Sequence, residues 1–100
     1  MRMNVTVVIV VCGRVQGVGF RAWTEVTALE LGLEGWVRNR RDGSVEALLA
    51  GPEEVVLSMI ERCRGGPPGA RIDTVDQREA GSADLVLRRP GDLFSMLPSS

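Results

Sequence analysis

Between positions 13 and 21 the chain reads Gly-Arg-Val-Gln-Gly-Val-Gly-Phe-Arg. Three glycines, Gly13, Gly17 and Gly19, fall within seven residues. The stretch follows an apolar run and precedes a helical pattern. Glycines at such a strand-to-helix turn let several backbone N–H groups converge on one point with no Cβ in the way. Arg14 and Arg21 bracket the loop, and Arg21 opens the helix, where the dipole also favours negative charge. The chemistry these residues can do is to hold a phosphate-like anion.

Composition narrows the rest. One hundred residues make one small domain with a single modest core. The net charge is -1, so no global basic field is present to hold a long nucleic acid. All 12 cationic side chains are arginines, and there is no His, which removes the commonest general base and metal ligand. Cys12 and Cys63 stand far apart, with neither a disulfide framework nor zinc spacing. They read as free thiols in a reducing compartment.

The elements that position the loop alternate along the chain. Asn4 to Cys12 is almost all apolar and largely β-branched, too short to span a bilayer, and reads as a central strand. Val10 and Val11 are not the small residues a signal cleavage site wants, so a cytoplasmic protein is expected. Ala22 to Leu31 reads as a helix, with Ala22, Val26, Leu29 and Leu33 as its apolar stripe and Gly32 at the C-cap. Gly35 to Arg40 is a second strand, Asp42-Gly43 a hairpin turn, and Ser44 to Ala50 a third strand with Val45, Ala47 and Leu49 on one face. A helix starts at Pro52-Glu53-Glu54, burying Val56, Met59, Ile60 and Cys63. Arg71 to Glu79 is a fourth strand, in which Ile72 and Val75 point oppositely unless a bulge intervenes. Asp84 to Arg88 reads as a short fifth strand. The expected division is a domain over 1–89 and a tail over 90–100.

This order is the split βαβ, ferredoxin-like arrangement: α+β, with two helices on one face of a mostly antiparallel four- to five-stranded sheet. Its usual sheet order is 4-1-3-2. Strands one and two then run parallel, two strand spacings or roughly 9–10 Å apart, and both end at the same edge of the sheet. The glycine loop leaves strand one there, and Arg38-Asn39-Arg40 closes strand two. That gap suits a small phosphorylated ligand and one water.

The residues Gly13 to Arg21, then Gly35-Trp36-Val37-Arg38-Asn39, then Asp42-Gly43-Ser44-Val45-Glu46, resemble the acylphosphatase family. The resemblance runs from about Val5 to Val75, with the motifs in the same order. It implies hydrolysis of the carboxyl–phosphate bond of small acyl phosphates, with no cofactor, metal or covalent intermediate. It implies phosphate binding by the amides of Val15, Gln16, Gly17, Val18, Gly19 and Phe20 together with Arg21, and catalysis by Arg21 and Asn39, with Asn39 holding the attacking water. It also implies a final strand carrying an aromatic and an aliphatic residue; here Leu85-Val86-Leu87 is taken for that strand. A small-molecule acyl phosphate is the expected partner, with no nucleic acid or membrane, and the protein is expected to be a monomer.

Two other readings stand beside it. A non-catalytic anion- or RNA-binding module of the same fold would place aromatics on the open sheet face, and four aromatics with no Tyr argue against that. A carbamoyl-phosphate-processing domain would be followed by further catalytic domains, and the chain stops at residue 100, so an independent enzyme is favoured. Arg14 and the Arg38, Arg40, Arg41 cluster read either as solvated or as drawing anions in. Phe20, Trp23 and Trp36 read as packing residues, and Gln16 otherwise as a loop filler.

With no His and no clustered Cys or carboxylate near the loop, turnover is expected to survive dialysis against EDTA unchanged. A large loss restored by magnesium or zinc is the contrary result.

Overall fold

The computed structural model describes residues 3–100. Strand β1 (Asn4–Arg14) leads to helix α1 (Phe20–Glu30), β2 (Glu34–Asn39), β3 (Val45–Pro52), α2 (Glu53–Gly65) and β4 (Arg71–Glu79). A 3-10 helix (Ser82–Leu87) and a short β5 (Phe94–Met96) follow. The strands form one sheet in the order β4-β1-β3-β2-β5. This is the ferredoxin-like α+β fold with one strand added at the edge.

Strand β3 pairs antiparallel with β1 from Asn4↔Pro52 to Val11↔Val45, and with β2 from Glu34↔Ala50 to Asn39↔Val45. Strands β1 and β2 are therefore parallel and end together. The unbroken apolar character of β1 follows from its interior place. Ile9 and Val11 face the helices with Val45, Ala47 and Leu49, while Val8 joins Trp36, Leu48, Ala50 and Leu97 on the other face. In β4 the register with β1 slips between Cys12 and Gly13, which step from Thr74 to Ile72 and leave Asp73 as the extra residue. This bulge turns both Ile72 and Val75 against the helix-side core.

The α2 stripe is as expected: Val56, Met59, Ile60 and Cys63 are buried. Helix α1 ends as expected too. Gly32 takes φ 72°, and the Leu33 N–H reaches the Ala28 carbonyl at 2.9 Å, which closes a Schellman turn.

The face that α1 buries requires a correction. It buries Phe20, Thr24, Thr27 and Ala28. Ala22 is exposed, and Val26 and Leu29 are 54% and 44% exposed. Each threonine hydroxyl donates back along the helix, Thr24 Oγ1 to the Phe20 carbonyl at 2.8 Å and Thr27 Oγ1 to the Trp23 carbonyl at 2.7 Å. A satisfied hydroxyl costs little to bury, so the helix turns its threonine face inward.

The C-terminal stretch requires the second correction. Residues 84–88 form no strand. Most of them lie in the 3-10 helix, where the Asp84 carbonyl accepts the Trp36 indole N–H at 2.9 Å and Leu85 packs on the second cluster. The edge of β2 is taken instead by Phe94–Met96, inside the stretch read as a tail. It runs parallel to β2 in the register Gly35↔Phe94 to Val37↔Met96. The physical reason is burial: Phe94 and Ser95 are 3% and 0% exposed, whereas Val86 is 78% exposed. Gly35 makes this possible. A Cβ there would collide with the Leu48 carbonyl and lie 3.1 Å from the Phe94 ring.

Phe94→Ala is expected to cost about 3–5 kcal/mol in urea unfolding, as a buried aromatic does. A change under about 1 kcal/mol would make the last strand dispensable.

Candidate active site

The loop between β1 and α1 is shaped by two left-handed residues, Gly17 at φ 78° and Gly19 at φ 79°. A Cβ at either would meet no protein atom within 4 Å, so the demand for glycine there is the sign of φ alone. Gly19 is the N-cap of α1 and brings no side chain to cap it. The first amides of the helix are left to an outside acceptor.

Arg21, in the first turn of α1, and Asn39, the last residue of β2, line one cleft of about 240 Å³. Val15, Gln16, Gly17, Gly19 and Phe20 line it with them, and so do Ala22 and Met96. Parity explains Asn39. It shares a strand face with Val37, which lies in the helix-side core, while Trp36 lies in the opposite cluster. Of the expected phosphate-binding residues only Val18 is outside the lining; its half-buried side chain packs on the helix-side core. A larger depression of about 350 Å³ lies near the start of β1 and the end of β4, around Asn4, Thr6, Gln77 and Glu79. It has no arginine in its lining, and the chemistry points to the smaller cleft.

Two fastenings hold the cleft open. Gln16 Nε2 donates to the Arg40 carbonyl at 2.8 Å and to the Ser44 carbonyl at 2.9 Å, tying the loop to the β2–β3 hairpin. The hairpin is itself tight. The Arg40 N–H meets the Ser44 carbonyl at 2.9 Å, Gly43 takes φ 94°, and Asp42 accepts the N–H and hydroxyl of Ser44. Those donors hold the Asp42 carboxyl below its ordinary value. Arg21 Nη1 in turn donates to the Leu97 carbonyl at 3.2 Å.

The other arginines divide. Arg38 is drawn to the opposite face, bonded to Glu46 at 2.8 Å and lying 4.8 Å over the Trp36 ring. Arg40 and Arg41 border a separate depression with Asp42 and Ser100. Arg14 is exposed and outside the cleft lining. Trp23 packs at 5.4 Å on Phe20 as a core aromatic. Among the described residues no group of three or more His, Cys, Asp or Glu could hold a metal ion.

The model of the family described as acylphosphatase matches residues 7–85, most of the chain. The chain belongs to the acylphosphatase family. A relative named acylphosphatase from Bradyrhizobium diazoefficiens is 57% identical over 91 residues, 91% of this chain and 92% of that protein. The crystal structure of acylphosphatase from Bacillus subtilis superposes with a TM-score of 0.81 at 37% identity, covering 95% of this chain and 99% of that one. HypF from T. kodakarensis is also similar, with a TM-score of 0.73 at 34% identity. It covers 98% of this chain but only 12% of its own.

Sequence reasoning placed Gln16 in this acylphosphatase cleft for its amide but missed the role of its side chain, and it missed the last strand altogether. Gln16 is a fastener, and no spacing rule marks a lone glutamine in a glycine loop as one. Met96 and Leu97 belong to the site, and here a signal existed. Phe94-Ser95-Met96 carries the aromatic and aliphatic pair that the resemblance implies for the last strand, and Leu85-Val86-Leu87 does not.

Gln16→Met keeps the length of the side chain and loses both bonds to the hairpin. At about 0.5–1.5 kcal/mol for each bond, urea unfolding is expected to lose about 1–3 kcal/mol with an unchanged denaturant slope. A loss below about 0.5 kcal/mol would leave the glutamine without a fastening role.

Proposed function

We propose that this cleft hydrolyses the carboxyl–phosphate bond of small acyl phosphates, giving carboxylate and inorganic phosphate, with Arg21 and Asn39 as its catalytic pair. The observation that carries the reading is their meeting in one cleft beside an uncapped glycine loop at the start of α1. The loop amides and the Arg21 guanidinium hold the phosphoryl oxygens. Arg21 contributes a planar fork that matches two of them. The Asn39 side-chain carbonyl accepts a hydrogen from water and aims its oxygen at phosphorus. A carboxylate at 39 would repel the phosphoryl group, whereas the amide does not.

The reaction needs no strong base. The P–O bond to the acyl group breaks as the water oxygen bonds to phosphorus. The electron pair leaves on a carboxylate, which is already a good leaving group, and a phosphoryl oxygen takes the proton of the water. What the protein supplies is position and a preorganised positive field. A non-catalytic anion- or RNA-binding module is not favoured, and neither is a carbamoyl-phosphate-processing domain. The working form is a cytoplasmic monomer that needs no nucleic acid, membrane or metal. Two free cysteines, Cys63 buried with its thiol pushed up to about 12 by desolvation, suit a reducing compartment. Among the described residues no helix is long and apolar enough to cross a membrane.

The test is turnover of acetyl phosphate together with inhibition by inorganic phosphate. Arg21→Ala is expected to lose both, since charge-assisted bonds are worth about 1.5–3 kcal/mol each and two of them amount to about a hundredfold or more in rate. Asn39→Ala is expected to lose turnover while keeping most of its phosphate affinity. Near-normal turnover in either variant removes that residue from the mechanism.

A further inference from the structure

Helix α1 presents its apolar stripe to solvent. Its threonines face the core, and Ala22, Val26 and Leu29 are exposed. Spaced i, i+4 and i+7, these three form one continuous row along the helix. The row begins inside the site, because Ala22 also lines the cleft that holds Arg21 and Asn39. From Ala22 to Leu29 the helix rises roughly 10 Å, the reach of an extended aliphatic chain of about eight carbons. Glu25 and Glu30 flank the row on either side. Among the described residues neither carboxylate is in an ion pair. Beyond Arg21, α1 carries no cation.

We propose that this row is a track for the acyl arm of the substrate: an uncharged, straight aliphatic arm lies along Ala22, Val26 and Leu29 while its phosphoryl group sits in the cleft. The proposal names a substrate class for the function given above and rests on that reading. With the water held on the Asn39 side of phosphorus, an in-line displacement sends the acyl oxygen out on the opposite side, away from β2. Of the α1 residues in the lining, Phe20 is buried and Arg21 is given to the phosphoryl group, so the arm reaches solvent past Ala22. Apolar contact then continues one turn on at Val26 and ends at Leu29. Charge selects the arm. Glu25 and Glu30 repel a second anion, and no cation stands on the row to attract one. The same two acids disfavour an anionic lipid surface, and they would oppose each other if two copies of the row met face to face.

The experiment is a chain-length series of acetyl, butyryl and octanoyl phosphates, kept below micelle-forming concentrations. Full burial of one CH2 is worth about fourfold in affinity, and an arm laid on a convex helix face is covered on one side only. KM is therefore expected to fall about ten- to twentyfold from acetyl to octanoyl phosphate. The kcat is expected to stay within about twofold, since an arm bound alike in ground and transition states moves KM alone. The double variant Val26→Thr/Leu29→Asn changes two exposed positions outside the cleft lining. It is expected to leave acetyl phosphate kinetics unchanged and to erase most of the fall in KM. Leu57→Asn, at a similarly exposed leucine on α2, is expected to preserve the fall. Suberyl phosphate, the octanoyl arm ended by a carboxylate, is expected to have a KM no lower than that of acetyl phosphate. A KM that does not fall with arm length, in an enzyme that turns over acetyl phosphate, overturns the track. So does a fall that survives Val26→Thr/Leu29→Asn, or one that Leu57→Asn removes equally. A suberyl KM as low as the octanoyl one overturns the selection by charge. No turnover of acetyl phosphate, or full activity in Arg21→Ala, counts instead against the function on which the track rests.

Discussion

Strand β3 is hydrogen-bonded to β1 along one side and to β2 along the other, and the geometry of the site depends on that wedge. Because β3 is antiparallel to both neighbours, β1 and β2 point the same way and finish at one edge of the sheet. The glycine loop leaves β1 at that edge, and Asn39 ends β2 there. Two strand spacings, roughly 9–10 Å, are too wide for the loop and Asn39 to satisfy each other directly. They are about right for a phosphoryl group and a water. The wedge is held by its own burial: Val45, Ala47, Leu48 and Leu49 are all 1% exposed or less, so its two faces belong to two different cores. Gln16 spans the same gap at its rim and stops the loop from swinging away from the hairpin.

The electrostatics of the cleft follow from what is left out of it. None of its lining residues is acidic, and the sequence has no His. Most of the nearby positive charge is also directed elsewhere. Arg38 lies on the far face against Glu46, and Arg40 borders a separate depression. Among the described residues Arg21 is the one cation in the lining. On the proposed function, a single arginine at a helix start without a side-chain cap suits a dianion and draws in no carboxylate of the protein. Acid–base catalysis is not needed for a substrate whose leaving group is already a carboxylate, so a set of residues poor in titratable groups is consistent with the reaction.

The parts of this arrangement that were legible in the sequence were those set by local chemistry. The Asp42-Gly43 turn, the Gly32 cap, the apolar β1 and the Val56–Cys63 stripe of α2 all follow from propensity and period. That the glycine loop and the Arg38–Arg40 end of β2 share one edge followed from topology, once β3 was placed between β1 and β2; Asn39 was singled out there by the family resemblance. What was not legible depended on tertiary partners. Thr24 and Thr27 look polar in sequence and are buried, because their hydroxyls are satisfied by carbonyls one turn back, and this rotates α1 away from its Val26–Leu29 face. Leu85-Val86-Leu87 has better strand character than Phe94-Ser95-Met96. The Trp36 indole nevertheless draws the first segment into a 3-10 turn, and Gly35 opens room for Phe94 beside β2. Neither effect has a period that a window could detect.

Those two long-range contacts also bring the end of the chain against the cleft. Catalysis by preorganised dipoles works only if the donors do not have to reorganise when charge develops. An arginine side chain at a helix start has about 2 kcal/mol of rotamer entropy to lose on binding. That cost falls if a fixed acceptor has already removed part of it. The Leu97 carbonyl is such an acceptor, and it is fixed because Phe94 and Ser95 are buried beside β2. The edge strand thus links the core to a charged side chain of the cleft. Gly17 and Gly19 give the glycine loop a shape that other residues rarely adopt, and Gln16 holds the shape in place. Loop, hairpin and edge strand are three separate chain segments, each anchored to the same sheet, and the cleft lies where they converge.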